Sequence, residues 1–202
     1  MSARVDHTTT SGTFSLDGQT FDVDNNVWVV GDDEECVVID APHDIEPIVG
    51  LVGDRRVVAI LCTHGHDDHV RVAPDLGRAL AASVLLHAAD APVWALTHDT
   101  PPDGDLTDGQ EITVGGTVLR VLHTPGHTPG AVSLYAEDLG VVFTGDTLFN
   151  GGPGATGRSF SDSDLIVASI RERLLTLPDE TVVKTGHGDD TTIGAERPAL
   201  AG

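Results

Sequence analysis

Four times along this 202-residue chain, a short run of β-type residues breaks off at a Gly- or Pro-bearing turn that carries histidine or aspartate. Residues 57–61 run into Thr63-His64-Gly65-His66-Asp67-Asp68-His69. Residues 118–122 run into His123-Thr124-Pro125-Gly126-His127, residues 140–143 into Thr144-Gly145-Asp146-Thr147, and residues 181–184 into Thr185-Gly186-His187-Gly188. Runs this short are strand-sized, and turns just past buried strands are where a rigid scaffold presents functional side chains. The chain must therefore fold so that several strands deliver their ends to loops of one design.

The residue types in those loops narrow the chemistry. Three imidazoles and a carboxylate within residues 64–69 crowd together cheaply only around a cation. Imidazole nitrogen and carboxylate oxygen are donors that suit Zn, Fe or Mn. An extended backbone sends the rings of His64 and His66 the same way, because side chains alternate with period two. Asp68 and His69 follow where the chain turns, so they can face a second, neighbouring ion. A solvated polar turn is the competing reading, and the three distant loops that complete the set argue against it. There is no sequence case for a Ser/His/Asp or Cys/His triad.

The His-x-His-x-Asp-His stretch at 64–69, with His127, Asp146 and His187, resembles the metallo-β-lactamase-fold hydrolases. Phe143-Thr144-Gly145-Asp146-Thr147-Leu148-Phe149 and Gly186-His187-Gly188, followed by Thr191 to Arg197, resemble their glyoxalase II-like branch. The likeness runs from about Asn25 to Arg197. It implies an α/β (α+β) fold, a four-layer αββα sandwich, with two divalent metal ions, zinc first and iron or manganese as alternatives. His64, His66 and His127 would hold the first ion, and Asp68, His69 and His187 the second. Asp146 would bridge them, and Asp68 would also orient the attacking water. Such paired ions lie roughly 3.5–4 Å apart and generate a hydroxide near neutral pH.

The branch implies hydrolysis of a thioester of a low-molecular-weight thiol. A thiolate leaves readily, which agrees with the absence of a recognisable strong general acid. Classical glyoxalase II enzymes carry a further C-terminal helical region that helps bind glutathione, whereas here about 15 residues follow His187. A mycothiol adduct is then a reasonable substrate, because the Ala/Gly/Asp/Arg bias with Lys184 as the single lysine suggests a high-GC or salt-tolerant source. The alternative is an iron-dependent persulfide dioxygenase, which shares the seven positions but uses one iron at a two-histidine, one-carboxylate set. A lactonase of the same fold is a further alternative. A true β-lactamase fits less well, since those usually lack an aspartate at the position of Asp146. A purely structural or storage site fits less well too: structural sites are closed by four protein ligands, while seven ligands over two ions leave positions open.

With 32 acidic against 11 basic residues the net charge is −21, which argues against nucleic acid or an anionic membrane as partner. No apolar run approaches the roughly 20 residues that span a bilayer, and residues 1–7 lack the apolar core of a secretory signal. A cytoplasmic protein acting on a small-molecule thioester is expected; the oligomeric state is not legible. Cys36 and Cys62 read as buried free thiols.

The expected organisation is a loose Thr/Ser-rich tail over 1–12 and one domain over 13–202. Strands are predicted at 13–16 and 27–30, with Asp17-Gly18 marking a hairpin, and at 36–39, 57–61, 83–86, 111–114, 117–122, 131–135, 141–144 and 181–184. Helices are predicted from Asp44 through 52, at 74–82, at 88–96 and at 165–175, with 97–109 as a loop. Asp40 ends a buried strand, where it could orient a metal-bound imidazole or simply form a turn. Arg158 closes the glycine-rich stretch 150–158 and could pair with an acidic group of the substrate, or with the outer helix. His87 and His123 sit at strand ends near the site, more in keeping with structural than functional histidines. His7, His43 and His98 read as surface groups.

Overall fold

The computed structural model describes residues 2–200. Among the described residues fourteen strands occur in chain order: β1 (Arg4–Leu16), β2 (Gln19–Gly31), β3 (Glu35–Ile39), β4 (Arg56–Leu61), β5 (Ser83–Leu86), β6 (Gly104–Asp105), β7 (Glu111–Val114), β8 (Thr117–His123), β9 (Val132–Ala136), β10 (Val141–Gly145), β11 (Leu148–Phe149), β12 (Gly152–Pro153), β13 (Val182–Thr185) and β14 (Thr191–Thr192). The α-helices are α1 (Ile45–Val52), α2 (Asp67–Val70), α3 (Ala73–Leu80), α4 (Ala91–Trp94), α5 (Ser163–Ser169) and α6 (Ile193–Leu200).

Two six-stranded sheets form the centre. The first runs β1-β2-β3-β4-β5-β6, antiparallel at the β1–β2–β3 side and parallel from β3 to β6. The second runs β14-β13-β10-β9-β8-β7, with β10 and β13 its one parallel pair. Strand alternation sorts the side chains into layers. Trp28, Val30, Val37 and Ile39 face inward and pack with Leu119, Val121, Leu134 and Phe143 of the second sheet. Their neighbours Val27, Val29, Cys36 and Val38 face outward, against Ile48 and Val52 of α1 and Leu76 of α3. On the far side, Val142 and Val183 pack against Ile166 of α5 and Ile193 and Leu200 of α6. Helix, sheet, sheet, helix is the four-layer order the resemblance implies.

The N-terminus departs from expectation. Residues 4–12 are no loose tail: β1 pairs with β2 without interruption from Arg4↔Gly31 to Leu16↔Gln19. The segment lacks apolar alternation because much of it faces solvent, yet its threonines are β-branched and suit a strand. Ion pairs from Arg4 to Asp33 and from Arg55 to Asp6 pin it further. Asp17 and Gly18 both have positive φ, 53° and 73°, as a tight two-residue hairpin turn of the I′ kind requires.

Local chemistry explains the helix starts. Asp44 accepts the Glu46 N–H at 3.0 Å ahead of α1, and Asp162 accepts the N–H groups of Asp164 and Leu165 ahead of α5. The predicted helix at 88–96 is a 3₁₀ turn, Ala88–Asp90, followed by the single turn α4. The one predicted at 165–175 is α5 continued by a wider π-wound segment, Ile170–Leu174. The segments α2, β6, β11, β12, β14 and α6 were not foreseen; all but α6 are of four residues or fewer. No helix among the described residues is long and apolar enough to cross a membrane. Cys36 and Cys62 are buried free thiols.

Candidate metal centre

The loops after β4, β8, β10 and β13 meet, bringing together the seven residues singled out as ligands. After β4 the extended His64-Gly65-His66 segment turns into α2, which swings Asp68 and His69 toward the loops of the second sheet. Gly145 ends β10 with φ 49° and delivers Asp146. His187 follows β13 through Gly186, where a Cβ would lie 2.3 Å from Asp146 Oδ1 and 2.8 Å from His69 Cε1, so only glycine lets the backbone pass.

The inward-facing atoms form three groups whose members lie within 4.8 Å of one another: His64, His66 and His127; His64, His69 and Asp146; Asp68, His69 and His187. His66 Nδ1 is 3.1 Å from His64 Nε2 and 3.0 Å from His127 Nε2. His187 Nε2 is 3.2 Å from Asp68 Oδ2 and 3.3 Å from His69 Nε2. Asp146 spans the groups. Its Oδ1 is 3.2 Å from His69 Nε2, while its Oδ2 is 3.4 Å from His187 Nε2 and 3.6 Å from His127 Nε2.

The outer ring nitrogens decide the tautomers. His127 Nδ1–H donates to Ala155 O (2.9 Å), His187 Nδ1–H to Asp24 O (2.7 Å) and His69 Nδ1–H to Asp40 Oδ2 (2.8 Å). Thr63 Oγ1 donates to Asp40 Oδ2 and so accepts from His64 Nδ1 at 3.1 Å. In each neutral ring the inward nitrogen is left with a lone pair, which is the ligand form. Lone pairs facing one another at about 3 Å repel unless something positive lies among them. Asp146 Oδ1 is buried and accepts no hydrogen bond. This donor set fits divalent cations.

Electrostatics divide the seven. Burial, then the neighbouring His69 and His127, holds His64 well below its ordinary value; burial and His127 push His66 down to about 3. Burial also works against charge on His69 and His187, but there the carboxylates win. Asp146, Asp68 and Asp40 raise His69, and Asp146 with Asp68 brings His187 up to about 10. Burial opposes ionisation of Asp68 and Asp146 as well, and the same histidines outweigh it, leaving both carboxyls below the usual range.

Asp40 adopts φ 63°, costly for a non-glycine residue, and from there accepts the Thr63 N–H at 2.7 Å as well as the bonds above. Asp67 stays outside the cluster, bonded to Ser15 N and Arg71. Arg158 stacks over Phe21 and Phe14, its guanidinium carbon 4.5 and 5.2 Å from their ring centres, with no ion pair to the outer helix among the described residues. These three side chains and Val23 wall a cavity of about 200 Å³ whose floor is His66, Asp68, His127, Asp146 and His187. A larger groove beside Pro74, Trp94 and Pro101 contains none of these groups.

Other histidines sit differently from expectation. His43 is no free surface group: its Nε2–H donates to Asn25 Oδ1 at 2.8 Å. Asn25, fully buried, turns its amide toward Asp68 Oδ2 (3.2 Å) and lies 3.3 Å from both His69 Nε2 and His187 Nε2. Sequence reasoning missed it; the available signal was an Asn-Asn pair interrupting a strand, where asparagine is disfavoured. His7 stacks on Trp28, and His98 bonds to Val70 O. His87 and His123 stack on each other at 4.2 Å and do not line the cavity.

Residues 20–187 match the family model described as the metallo-beta-lactamase superfamily. The chain belongs to that superfamily of metallo-hydrolases. It is similar to the hydroxyacylglutathione hydrolase GloC of Haemophilus influenzae, 32% identical over 189 residues and spanning 85% of this chain and 89% of that protein. Among solved structures it is similar to BLEG-1, described as a B3 metallo-beta-lactamase, with TM-score 0.80, 32% identity and coverage of 96% and 100%. It also resembles TTHA1623, solved in a di-iron-bound form, with TM-score 0.74, 33% identity and coverage of 95% and 98%.

Proposed function

We propose that the chain is a dinuclear-metal hydrolase that cleaves a thioester of a low-molecular-weight thiol. The observation that carries this is Asp146, whose two oxygens face histidines of both ligand groups on the floor of one cavity. His64, His66 and His127 would hold one ion, and Asp68, His69 and His187 the other, zinc or iron. Ions held there would supply Lewis acidity and a nucleophilic oxygen at neutral pH. Asp68 would also orient the attacking water, and Asp40, which accepts from His69 Nδ1–H, would keep that ring in its ligand tautomer.

Phe14, Phe21 and Val23 would give the substrate an apolar wall, and Arg158 would pair with an acidic group on it. Hydrolysis exchanges the acyl C–S bond for C–O. The sulfur departs with the bonding pair as a thiolate, so a strong general acid is unnecessary. The likeness to a hydroxyacylglutathione hydrolase supports a thioester, with glutathione and mycothiol as the carriers to compare.

The test is thiol release from lactoyl-glutathione, an acyl-mycothiol and an acyl-coenzyme A by purified, metal-loaded protein. Turnover of at least one is expected; inertness toward all, with two ions bound, would remove the proposal. A chromogenic cephalosporin in the same series tests the β-lactamase likeness. The persulfide dioxygenase is the second reading, compatible with the two-histidine, one-carboxylate sets within the cluster, His64 with His69 and Asp146, and Asp68 with His69 and His187. One iron per chain with oxygen uptake would mark it.

A further inference from the structure

The loop that carries His64 and His66 leaves the first sheet, and the loop that carries His127 leaves the second. Their strand-side ends are tied by a backbone bond from Val132 N to Thr63 O, 2.8 Å. Beyond that tie both loops close on one side chain, Asp90, which comes from neither. It is fully buried at the junction of the 3₁₀ turn and α4. Its Oδ2 accepts the N–H of Gly65, between His64 and His66, at 2.7 Å, and the hydroxyl of Thr128, next to His127, also at 2.7 Å. Its Oδ1 accepts the N–H of Gly130 at 2.5 Å. No cation pairs with it among the described residues.

Both loops are glycine where they press on this turn. A Cβ at Gly130 would lie 2.6 to 2.9 Å from Asp90 N, Cβ and Cγ; one at Gly65 would lie 2.9 Å from Trp94 N. Three donors converging on a carboxylate at such close approach leave little freedom in the distance between the two loops. That distance is the span between the two halves of the histidine-only group.

We propose that Asp90 is a positioning residue that sets the spacing of His64 and His66 against His127, and so controls metal affinity at that group alone. This rests on reading those three histidines as ligands. The isosteric Asp90→Asn keeps the packing but offers one acceptor oxygen, so at least one of the three donors faces an amide N–H. Thr128→Val removes a single donor and preserves shape. Ile48→Val, on α1 in the outer core layer of the first sheet and outside the hydrogen bonds of Asp90, serves as a generally loosened control.

The readout is the affinity of metal-stripped protein for each of two Zn(II) ions, by competition with a chromophoric chelator. His127→Ala and His187→Ala identify which ion belongs to which group. Asp90→Asn is expected to weaken the ion lost in His127→Ala by about 10–100-fold, the range for outer partners of metal ligands, and to leave the other unchanged. Thr128→Val should shift the same ion by less, and Ile48→Val neither. Asp90→Asn retaining both ions at wild-type affinity, losing both equally, or losing the His187 ion would overturn the inference. If Asp90→Asn does not fold, the same comparison on Thr128→Val decides. A wild type that binds no metal overturns the metal-centre reading itself, and this inference with it.

Discussion

The two halves of the site solve the same problem with opposite electrostatics. Around His64, His66 and His127 there is chiefly imidazole, and burial keeps the His64 and His66 rings neutral. Around Asp68, His69 and His187 the carboxylates of Asp40, Asp68 and Asp146 draw protons onto the rings, so that without a cation this half is internally paired. A metal entering the second half replaces protons and competes with existing ion pairs; one entering the first finds lone pairs waiting. What differs is the price of the empty state, and Asp146 is the residue that belongs to both.

The largest effect should come from breaking that shared member. Asp146→Ala is expected to weaken both ions and lower kcat/KM by more than the roughly 10–100-fold that loss of a partner behind a ligand costs; metal content by mass spectrometry beside thioester turnover checks it. Retention of both ions would show that the halves are independent.

Next in size, Asp40→Asn should act most strongly on one half, because Asp40 bonds His69 directly and reaches His64 only through Thr63. It leaves His69 Nδ1 without its carboxylate, and metal affinity at the Asp68, His69 and His187 group should fall about 10–100-fold. Chelator competition should find the histidine-only group weakened less, through Thr63 and His64 alone.

The halves should also differ in how acid affects the metal-free fold. His66 sits at about 3 in the fold against about 6.5 unfolded, so between these values the unfolded chain binds the extra proton. Its contribution to stability is therefore present above pH 6.5 and lost as pH falls toward 3. His187, raised to about 10, stabilises fully below 6.5 and loses its contribution as pH rises through 10. Urea unfolding of metal-stripped His66→Ala should show a shallower acid limb than wild type, and His187→Ala a shallower alkaline one. Identical limbs would erase the distinction.

The smallest effect lies at the rim. Arg158→Gln should raise KM for an acidic thioester by about tenfold, the order of one charge-assisted hydrogen bond, and leave kcat and an uncharged thioester alone.

Much of this was legible in the residues, unevenly. The His-x-His-x-Asp-His run and the turns holding His127, Asp146 and His187 announce themselves because donor type and strand-end position are local properties. The four-layer order is what the family resemblance implies, and the continuously apolar runs 27–30 and 36–39 fit strands covered on both faces. What escaped depends on distant pairing. Asn25 matters because β2 is registered beside a turn 43 residues on, and Asp90 because its donors lie 25, 38 and 40 residues away. His43 lies in a polar stretch, yet its ring packs against Gly12, where a Cβ would fall 2.3 Å from Nδ1. Residues 4–12 carry no strand signal for a similar reason: a solvent-facing strand is held by its partner's backbone rather than by apolar alternation.

The most direct test is anomalous diffraction at the zinc edge from crystals of the zinc-loaded protein. Two peaks roughly 3.5–4 Å apart, one beside His64, His66 and His127 and one beside Asp68, His69 and His187, with Asp146 between them, are predicted. A single peak, or peaks away from these side chains, would contradict the dinuclear site.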